Sequence, residues 1–147
     1  MTAIMWLEDF HVGDRYHGSQ ELEITDEDIM TFAKRWDPQP GHLSQEEAAQ
    51  TPFDGLAASG WHTAAVTMRL VVASGFVGIM GAEVRLTWPT PTRPGDRLHL
   101  DLEVTSVRAS KSNPARGVVE LDYDSVNQHG EVRQRTHVVA IVERRPA

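Results

Sequence analysis

The stretch SGWHTAAVTMRLVVASG, residues 59–75, decides the fold because it is the most strongly helical segment of the chain. Ser59 is of a type that caps helix N-termini, and Gly75 is of a type that ends helices. Between them only Arg69 carries a charge, and apolar residues fall on nearly every side of the helix. A helix of this kind is buried in globular proteins, so we predict a core helix over residues 60–74.

After this helix the hydrophobic period changes from that of a helix to that of a strand. Residues 97–107, RLHLDLEVTSV, alternate apolar and polar side chains, which predicts a half-buried strand. Further strands are predicted at residues 83–91, 117–126 and 132–142. Short turns join the later strands, so the sheet is expected to be antiparallel. We therefore predict an α+β fold, in which a curved antiparallel β-sheet wraps around the central apolar helix.

The first half of the chain contains one short predicted strand and two predicted helices. The strand lies within residues 15–25, and Thr25 begins a helix that should end near Trp36. Ser44 begins a short second helix that continues through Ala49. The chain has 147 residues and no linker-like tract, so we expect a single domain over residues 1–147.

Composition excludes several classes of function. The net charge is −7 and the basic residues are scattered, so a nucleic-acid partner is not expected. There is no cysteine, which excludes thiol catalysis and thiolate metal sites. The longest uncharged run, residues 70–82, is too short to span a membrane. The early acidic residues Glu8 and Asp9 argue against a signal peptide, and we expect a cytoplasmic protein without a membrane partner.

An aspartate and a histidine flank a stiffened turn in FAKRWDPQPGH, residues 32–42. Pro38 and Pro40 restrict the backbone, and Gly41 permits a tight step before His42. A carboxylate and an imidazole within reach of one water are suited to adding or removing the elements of water. Spacing alone does not distinguish such a pair from a helix-stopping loop with Asp37 on the surface.

Three motifs together resemble a known family. They are FAKRWDPQPGH at residues 32–42, PFDGLAASGWHTA at 52–64 and LTWPTPTRPGDRL at 86–98. In this order the chain resembles the MaoC-like dehydratases, which include (R)-specific enoyl-CoA hydratases and have the hot-dog fold. The resemblance extends over nearly the whole chain. It implies that Asp37 and His42 are the catalytic residues.

The resemblance also assigns a role to the start of the central helix. Backbone N–H groups at a helix N-terminus lack intrahelical acceptors, and the helix dipole favours negative charge there. Gly60 is placed to bind the carbonyl oxygen of a thioester through its amide, with Ser59 as the preceding residue. Taken alone, Ser59 followed by Gly60 is also an ordinary helix cap.

The chain departs from the usual family pattern at three positions. Gln39 stands where the family usually has asparagine, and it is expected to hold water or substrate rather than to be catalytic. Gly41 replaces an apolar residue, and Ser59 replaces a frequent histidine. His62 is predicted to be a buried helical histidine with a hydrogen-bond partner.

The implied activity is that of a hydro-lyase that reversibly hydrates a 2-enoyl thioester. Coenzyme A would be part of the substrate, and no metal or redox cofactor is implied. The family relation further suggests a homodimer. One alternative is a hot-dog acyl-CoA thioesterase, although residues 60–74 lack the carboxylate that many of these enzymes carry. The other is a non-catalytic acyl-binding domain, because Gln39 and Ser59 mark either altered specificity or lost activity.

The remaining histidines show no spacing typical of metal ligands on a helix, so no metal site is predicted. These residues are His11, His17, His99, His129 and His137.

Overall fold

The computed structural model describes residues 3–147, and within that range it contains three α-helices and six β-strands. The helices are α1 (Asp26–Trp36), α2 (Gln45–Ala48) and α3 (Gly60–Ala73). The strands are β1 (Arg15–His17), β2 (Leu22–Glu23), β3 (Ile79–Thr87), β4 (Arg97–Ala109), β5 (Arg116–Val126) and β6 (Val132–Glu143).

All strand pairs are antiparallel, in the order β1-β4-β5-β6-β3, with β2 also pairing with β4. The three longest strands are neighbours along the chain and are joined by short connections. The register shifts within the β3–β6, β4–β5 and β5–β6 pairs. Such irregularities increase twist and bend a sheet, which gives it the curvature needed to wrap a helix.

The inner face of the sheet carries the core, as the alternating pattern predicts. On β4 the buried side chains are Leu98, Leu100, Leu102 and Val104, and the intervening residues are polar. The helix α3 contributes Leu70 and Val71 to the same core. The buried core side chains of the other long strands are Val119, Leu121, Tyr123, Val138, Ala140 and Val142.

The prediction that α3 is enclosed on nearly every side is wrong for a single chain. Trp61, Met68 and Val72 are 62%, 51% and 46% exposed, and they recur at helical spacing along one stripe. The sheet is one layer thick and packs on one side of the helix only. The apolar stripe therefore lies on the side of α3 that the sheet does not cover.

Two predicted strand boundaries also differ from the structure. The strand expected within residues 15–25 is two short strands, β1 and β2. From His17 to Leu22 the chain advances by five residues, whereas their partners Asp101 and Leu98 are three apart, so the intervening residues leave the ladder. The strand expected at residues 83–91 is β3, which begins at Ile79 and ends at Thr87 because Pro89 has no N–H for the ladder.

The connection from β3 to β4 positions the site. These strands are not neighbours in the sheet, so residues 88–96 cross its end beside the N-terminus of α3. Ala58 donates a backbone hydrogen bond to Thr92 O at 2.9 Å, and this bond joins the crossing segment to the segment that enters α3. Within residues 3–147 no helix is long and apolar enough to cross a membrane.

Candidate active site

The end of α1 places the carboxylate of Asp37. Thr25 caps the helix, and its side chain accepts a hydrogen bond from Asp28 N at 3.1 Å. The Asp28 side chain in turn accepts from Thr25 N, which completes the predicted capping box. At the other end Asp37 leaves helical geometry, with φ −154° and ψ 70°, because Pro38 disfavours it. Local sequence is therefore sufficient to end the helix at Trp36 and to turn Asp37 out of it.

Asp37 is held by two hydrogen-bond donors. Gln39 Nε2 donates to Asp37 Oδ1 at 2.6 Å, and Ser59 Oγ donates to Asp37 Oδ2 at 2.7 Å. Burial opposes ionisation, but the hydrogen bonds from Gln39 and Ser59 and the proximity of His42 outweigh it and lower the pKa of Asp37. The carboxylate is therefore ionised at neutral pH and oriented on both oxygens.

His42 is buried and oriented by the backbone. Its Nδ1 lies 2.6 Å from the carbonyl oxygen of Ala57, which can only accept, so Nδ1 carries the proton. Its Nε2 lies 3.5 Å from Asp37 Oδ2. In the neutral imidazole Nε2 is thus an acceptor that faces an ionised carboxylate. The structure brings together the two residues that the family resemblance implied.

Ser59 contacts the same carboxylate at the start of α3, and Gly60 follows it as the first helical residue. Ser59 Oγ accepts from Trp61 N at 3.3 Å while it donates to Asp37, so one hydroxyl both caps the helix and orients the carboxylate. Gly60 is the first residue of α3, and its N–H has no intrahelical acceptor. A Cβ at Gly60 would lie 2.6 Å from the ring of Trp88, so the glycine also makes room for that indole.

These residues line one cavity of about 500 Å³. Asp37, Gln39, His42 and Gly60 all contribute to its wall, whereas Ser59 lies behind them and is 1% exposed. The remaining wall was not predicted from the sequence, and it consists of Pro52, Phe53, Ala58, Trp61, Thr63, Trp88, Thr90, Pro91, Thr92 and Arg133.

The wall residues escaped prediction because several separate segments supply them. Trp88, Thr90 and Thr92 come from the crossing segment, and Arg133 comes from β6. The only sequence signal was the pair of prolines after Trp88. These prolines indicate that the strand ends there, but they do not indicate which part of the molecule the following segment contacts.

The reason for glycine at position 41 differs from the prediction. Gly41 is not among the described residues with positive φ, so no unusual backbone conformation requires it. A Cβ there would instead lie 2.5 Å from the ring of Phe53. The Phe53 ring centroid is 5.3 Å from that of His42. Phe53 therefore fills the space that a side chain at position 41 would occupy, next to His42.

Gly41→Ala is expected to lower the free energy of unfolding by about 1–3 kcal/mol, because the new methyl group overpacks against Phe53. The double substitution Gly41→Ala/Phe53→Ala should cost less than the sum of the two single changes. Chemical denaturation monitored by circular dichroism measures both quantities. Gly81→Ala is the matched control, since a Cβ there makes only ordinary contacts at 3.7 Å. Strict additivity of the two changes would contradict the proposed contact.

His62 lies outside the cavity. It is 8% exposed and stacks on Phe32 with ring centroids 4.7 Å apart. Burial lowers the pKa of His62, against the opposing effect of Asp28, so the ring is neutral. The expected hydrogen-bond partner of its Nδ1 is absent among residues 3–147. His62 is thus a buried structural histidine, as predicted, but it is held by stacking.

An antiparallel sheet packed against one central helix is the architecture of the MaoC-like hot-dog proteins, and this chain carries an acid–imidazole pair at the N-terminus of that helix. The MaoC like domain family matches residues 9–127. The chain belongs to this family, and the predicted fold is confirmed.

Related sequences and solved structures support the same family and fold. The chain is 31% identical to YdeM of Bacillus subtilis (strain 168) over 84% of its own length and 89% of that protein. The crystal structure of the MaoC-like dehydratase from Rhodospirillum rubrum is 49% identical, with a TM-score of 0.92 over 97% of this chain and 99% of the other. The (R)-hydratase from A. caviae involved in PHA biosynthesis is 20% identical, with a TM-score of 0.72 over 95% and 99% of the two chains. At that identity the last likeness concerns the fold alone.

Proposed function

We propose that this protein is a hydro-lyase that reversibly adds water to the C2=C3 bond of a 2-enoyl thioester, with coenzyme A as the thiol. The proposal rests mainly on the orientation of the His42 ring. Because Nδ1 donates to Ala57 O, Nε2 is left as an acceptor beside the ionised carboxylate of Asp37, 3.5 Å away. A water that donates one hydrogen to each acceptor would be held between them, ready to attack.

The proposed reaction needs no proton donor or acceptor other than Asp37 and His42. The water oxygen forms a bond to C3 as His42 Nε2 takes a proton from the water. The π electrons of the C2=C3 bond move towards C2 and the thioester oxygen. The imidazolium, stabilised by the adjacent Asp37 carboxylate, then gives the proton to C2. His42 returns to its neutral form, the product is a 3-hydroxyacyl thioester, and dehydration follows the same path in reverse.

Gly60 is proposed to stabilise the charge that develops on the thioester oxygen. Gly60 supplies the first amide of α3, and the residue lines the same cavity as Asp37 and His42. A free amide at the positive end of a helix dipole favours an oxyanion over a neutral carbonyl. Gln39 would contribute by orienting Asp37 and by contacting substrate, and Ser59 by orienting Asp37 alone. The proposed chemistry uses protons only, so it requires no metal or redox cofactor.

We also propose that two copies of this chain associate through the uncovered side of α3. The exposed stripe of Trp61, Met68 and Val72 continues onto β3 through Val84, which is 54% exposed and lines one cavity together with Met68 and Val72. Apolar side chains in one contiguous patch favour association. Light scattering on the purified protein is expected to give the mass of two chains, and the mass of one chain would contradict the proposal. A cytoplasmic location, where enoyl thioesters are accessible, is part of the same proposal.

The activity is tested by following the conjugated-thioester absorbance of a panel of trans-2-enoyl-CoAs of increasing chain length, with a parallel assay for free thiol. The proposal expects loss of the conjugated band without thiol release, and formation of a 3-hydroxyacyl-CoA by mass spectrometry. Thiol release instead would identify a thioesterase. No turnover across the panel, together with binding of the same thioesters, would identify an acyl-binding domain.

A further inference from the structure

Three metal-ligating side chains meet on the outer face of the sheet, away from the proposed active site. His17 lies on β1, directly opposite Asp101 on β4. His99 precedes Asp101 by two residues and therefore projects from the same face of that strand. None of the three residues lines the cavity that contains Asp37 and His42.

The three side chains already converge. One ligand atom from each of His17, His99 and Asp101 lies within 4.8 Å of the others. His17 Nδ1 is hydrogen-bonded to Asp101 Oδ1, and His99 Nε2 lies 3.7 Å from Asp101 Oδ2. The two imidazole ring centroids are 5.0 Å apart. Ligands of a tetrahedral ion, each about 2.0–2.1 Å from the metal, lie about 3.4 Å from one another. Small rotations of the His17 side chain, which is 76% exposed, would complete that spacing.

We propose that His17, His99 and Asp101 form a binding site for a divalent transition-metal ion of the zinc class. Two imidazole nitrogens and one carboxylate oxygen suit zinc and its neighbours. Magnesium and calcium prefer oxygen ligands throughout, so this set disfavours them. Three protein ligands leave at least one position for water, as the exposed location also allows.

The surroundings of the cluster favour a cation. The three residues and Asp124 line one open groove of about 840 Å³. Asp124 lies directly opposite Asp101 on the neighbouring strand. The carboxylates of Glu21, Asp101 and Asp124 line this groove beside one guanidinium, that of Arg97. Carboxylates thus outnumber the cations that could balance them at this end of the groove, and a bound divalent ion would offset their repulsion.

A metal at this position would join the edge strand β1 to the body of the sheet. β1 has only three residues, and within the described chain it pairs with β4 alone. A short edge strand is among the elements that open most readily. An ion held by His17 from β1 and by His99 and Asp101 from β4 would therefore clamp the N-terminal segment. The sequence did not predict this site because its ligands lie on two strands that are far apart along the chain.

The test is titration of the untagged, chelator-treated full chain with zinc chloride, measured by isothermal titration calorimetry. The proposal expects one ion per chain and a melting temperature that rises with zinc concentration. His17→Ala and His99→Ala should each weaken binding by at least about tenfold and remove the thermal shift, since even outer-shell partners contribute that much. Cobalt(II) in place of zinc should give visible absorbance bands that the same substitutions remove.

Two controls separate this site from others. His129→Ala removes an exposed histidine on the β5–β6 turn that does not line the groove, and it should leave zinc binding unchanged. Asp37→Asn/His42→Ala removes the other acid–imidazole pair and should also leave it unchanged. Absence of binding in the wild type, or equal binding in His17→Ala, His99→Ala and His129→Ala, would overturn the proposal. Loss of binding only in Asp37→Asn/His42→Ala would place the ion at the active site and overturn it as well.

Discussion

His42→Ala and Asp37→Asn are each expected to lower kcat/KM for enoyl-CoA hydration by about 10²–10⁴-fold, the usual contribution of a positioned acid or base. In the proposed mechanism the alanine variant removes the nitrogen that takes and returns the proton. The asparagine variant keeps the shape of the side chain but loses the charge that stabilises the imidazolium. Both effects should fall mainly on kcat, because the charges involved develop in the transition state.

The controls for this prediction use folded protein and a matched histidine. Circular dichroism and the melting temperature of each variant establish folding, and His129→Ala should retain full activity because that residue is exposed and does not line the cavity. Activity within a factor of about three of wild type in either active-site variant would be far below the contribution of a general base and would contradict the mechanism.

Asp96→Ala is expected to lower the free energy of unfolding by about 3–5 kcal/mol, because it leaves a buried guanidinium without its partner. Asp96 and Arg133 are 4% and 6% exposed and form a bidentate pair at 2.8 and 3.2 Å. Asp96 also accepts from Arg93 N at 2.8 Å and from Asn127 Nδ2 at 3.0 Å. The cluster ties the crossing segment to the β5–β6 turn, so its loss also loosens the wall of the cavity.

Glu21→Ala is the matched control for the buried pair. Glu21 and Arg97 form an exposed ion pair at 3.1 Å. Such pairs contribute less than about 1 kcal/mol. Urea denaturation of both variants and the wild type gives the comparison, and equal costs for Asp96→Ala and Glu21→Ala would contradict the role of burial.

The hydrogen bonds of Asp96 also predict that the free energy of unfolding decreases at acid pH. Burial opposes ionisation of Asp96, but Arg133, Arg93 N and Asn127 outweigh it and lower its pKa below the ordinary 3.8. A group whose pKa is lower in the folded state stabilises the protein above the unfolded value. The contribution of Asp96 to the free energy of unfolding should therefore be complete above about pH 5. It should be lost as the pH falls through the ordinary pKa of 3.8 towards the lower pKa of the folded state. In Asp96→Ala this part of the pH dependence should disappear.

Helix ends and strand alternation were predictable because their causes are local. Thr25 and Ser59 cap their helices as expected, and Pro38 ends α1 before Asp37. The period of two in β4 identified its buried face correctly. The extent of burial of α3 was not predictable. The distribution of apolar residues around a helix does not show how many of its sides a single sheet covers.

Within the site, the acid–histidine turn followed from sequence, whereas its orientation did not. Gln39 is two residues from Asp37, so their hydrogen bond is a local consequence of the extended turn. The other partners, Ser59 for Asp37 and Ala57 for His42, come from the segment that enters α3. Only the approach of that segment determines which nitrogen of His42 carries the proton.

The sequence by itself determined the helices, the long strands, the inner face of the sheet and the family resemblance, and it marked Asp37 and His42 as candidates, because each of these depends on residues close together in the chain. The tertiary structure decided why Gly41 and Gly60 are glycines, since Phe53 and Trp88 occupy the space that their side chains would fill. It also decided the wall of the cavity and the cluster of His17 with its partners on β4. Such contacts join segments distant in sequence, and they exist only once the sheet has closed over its helix.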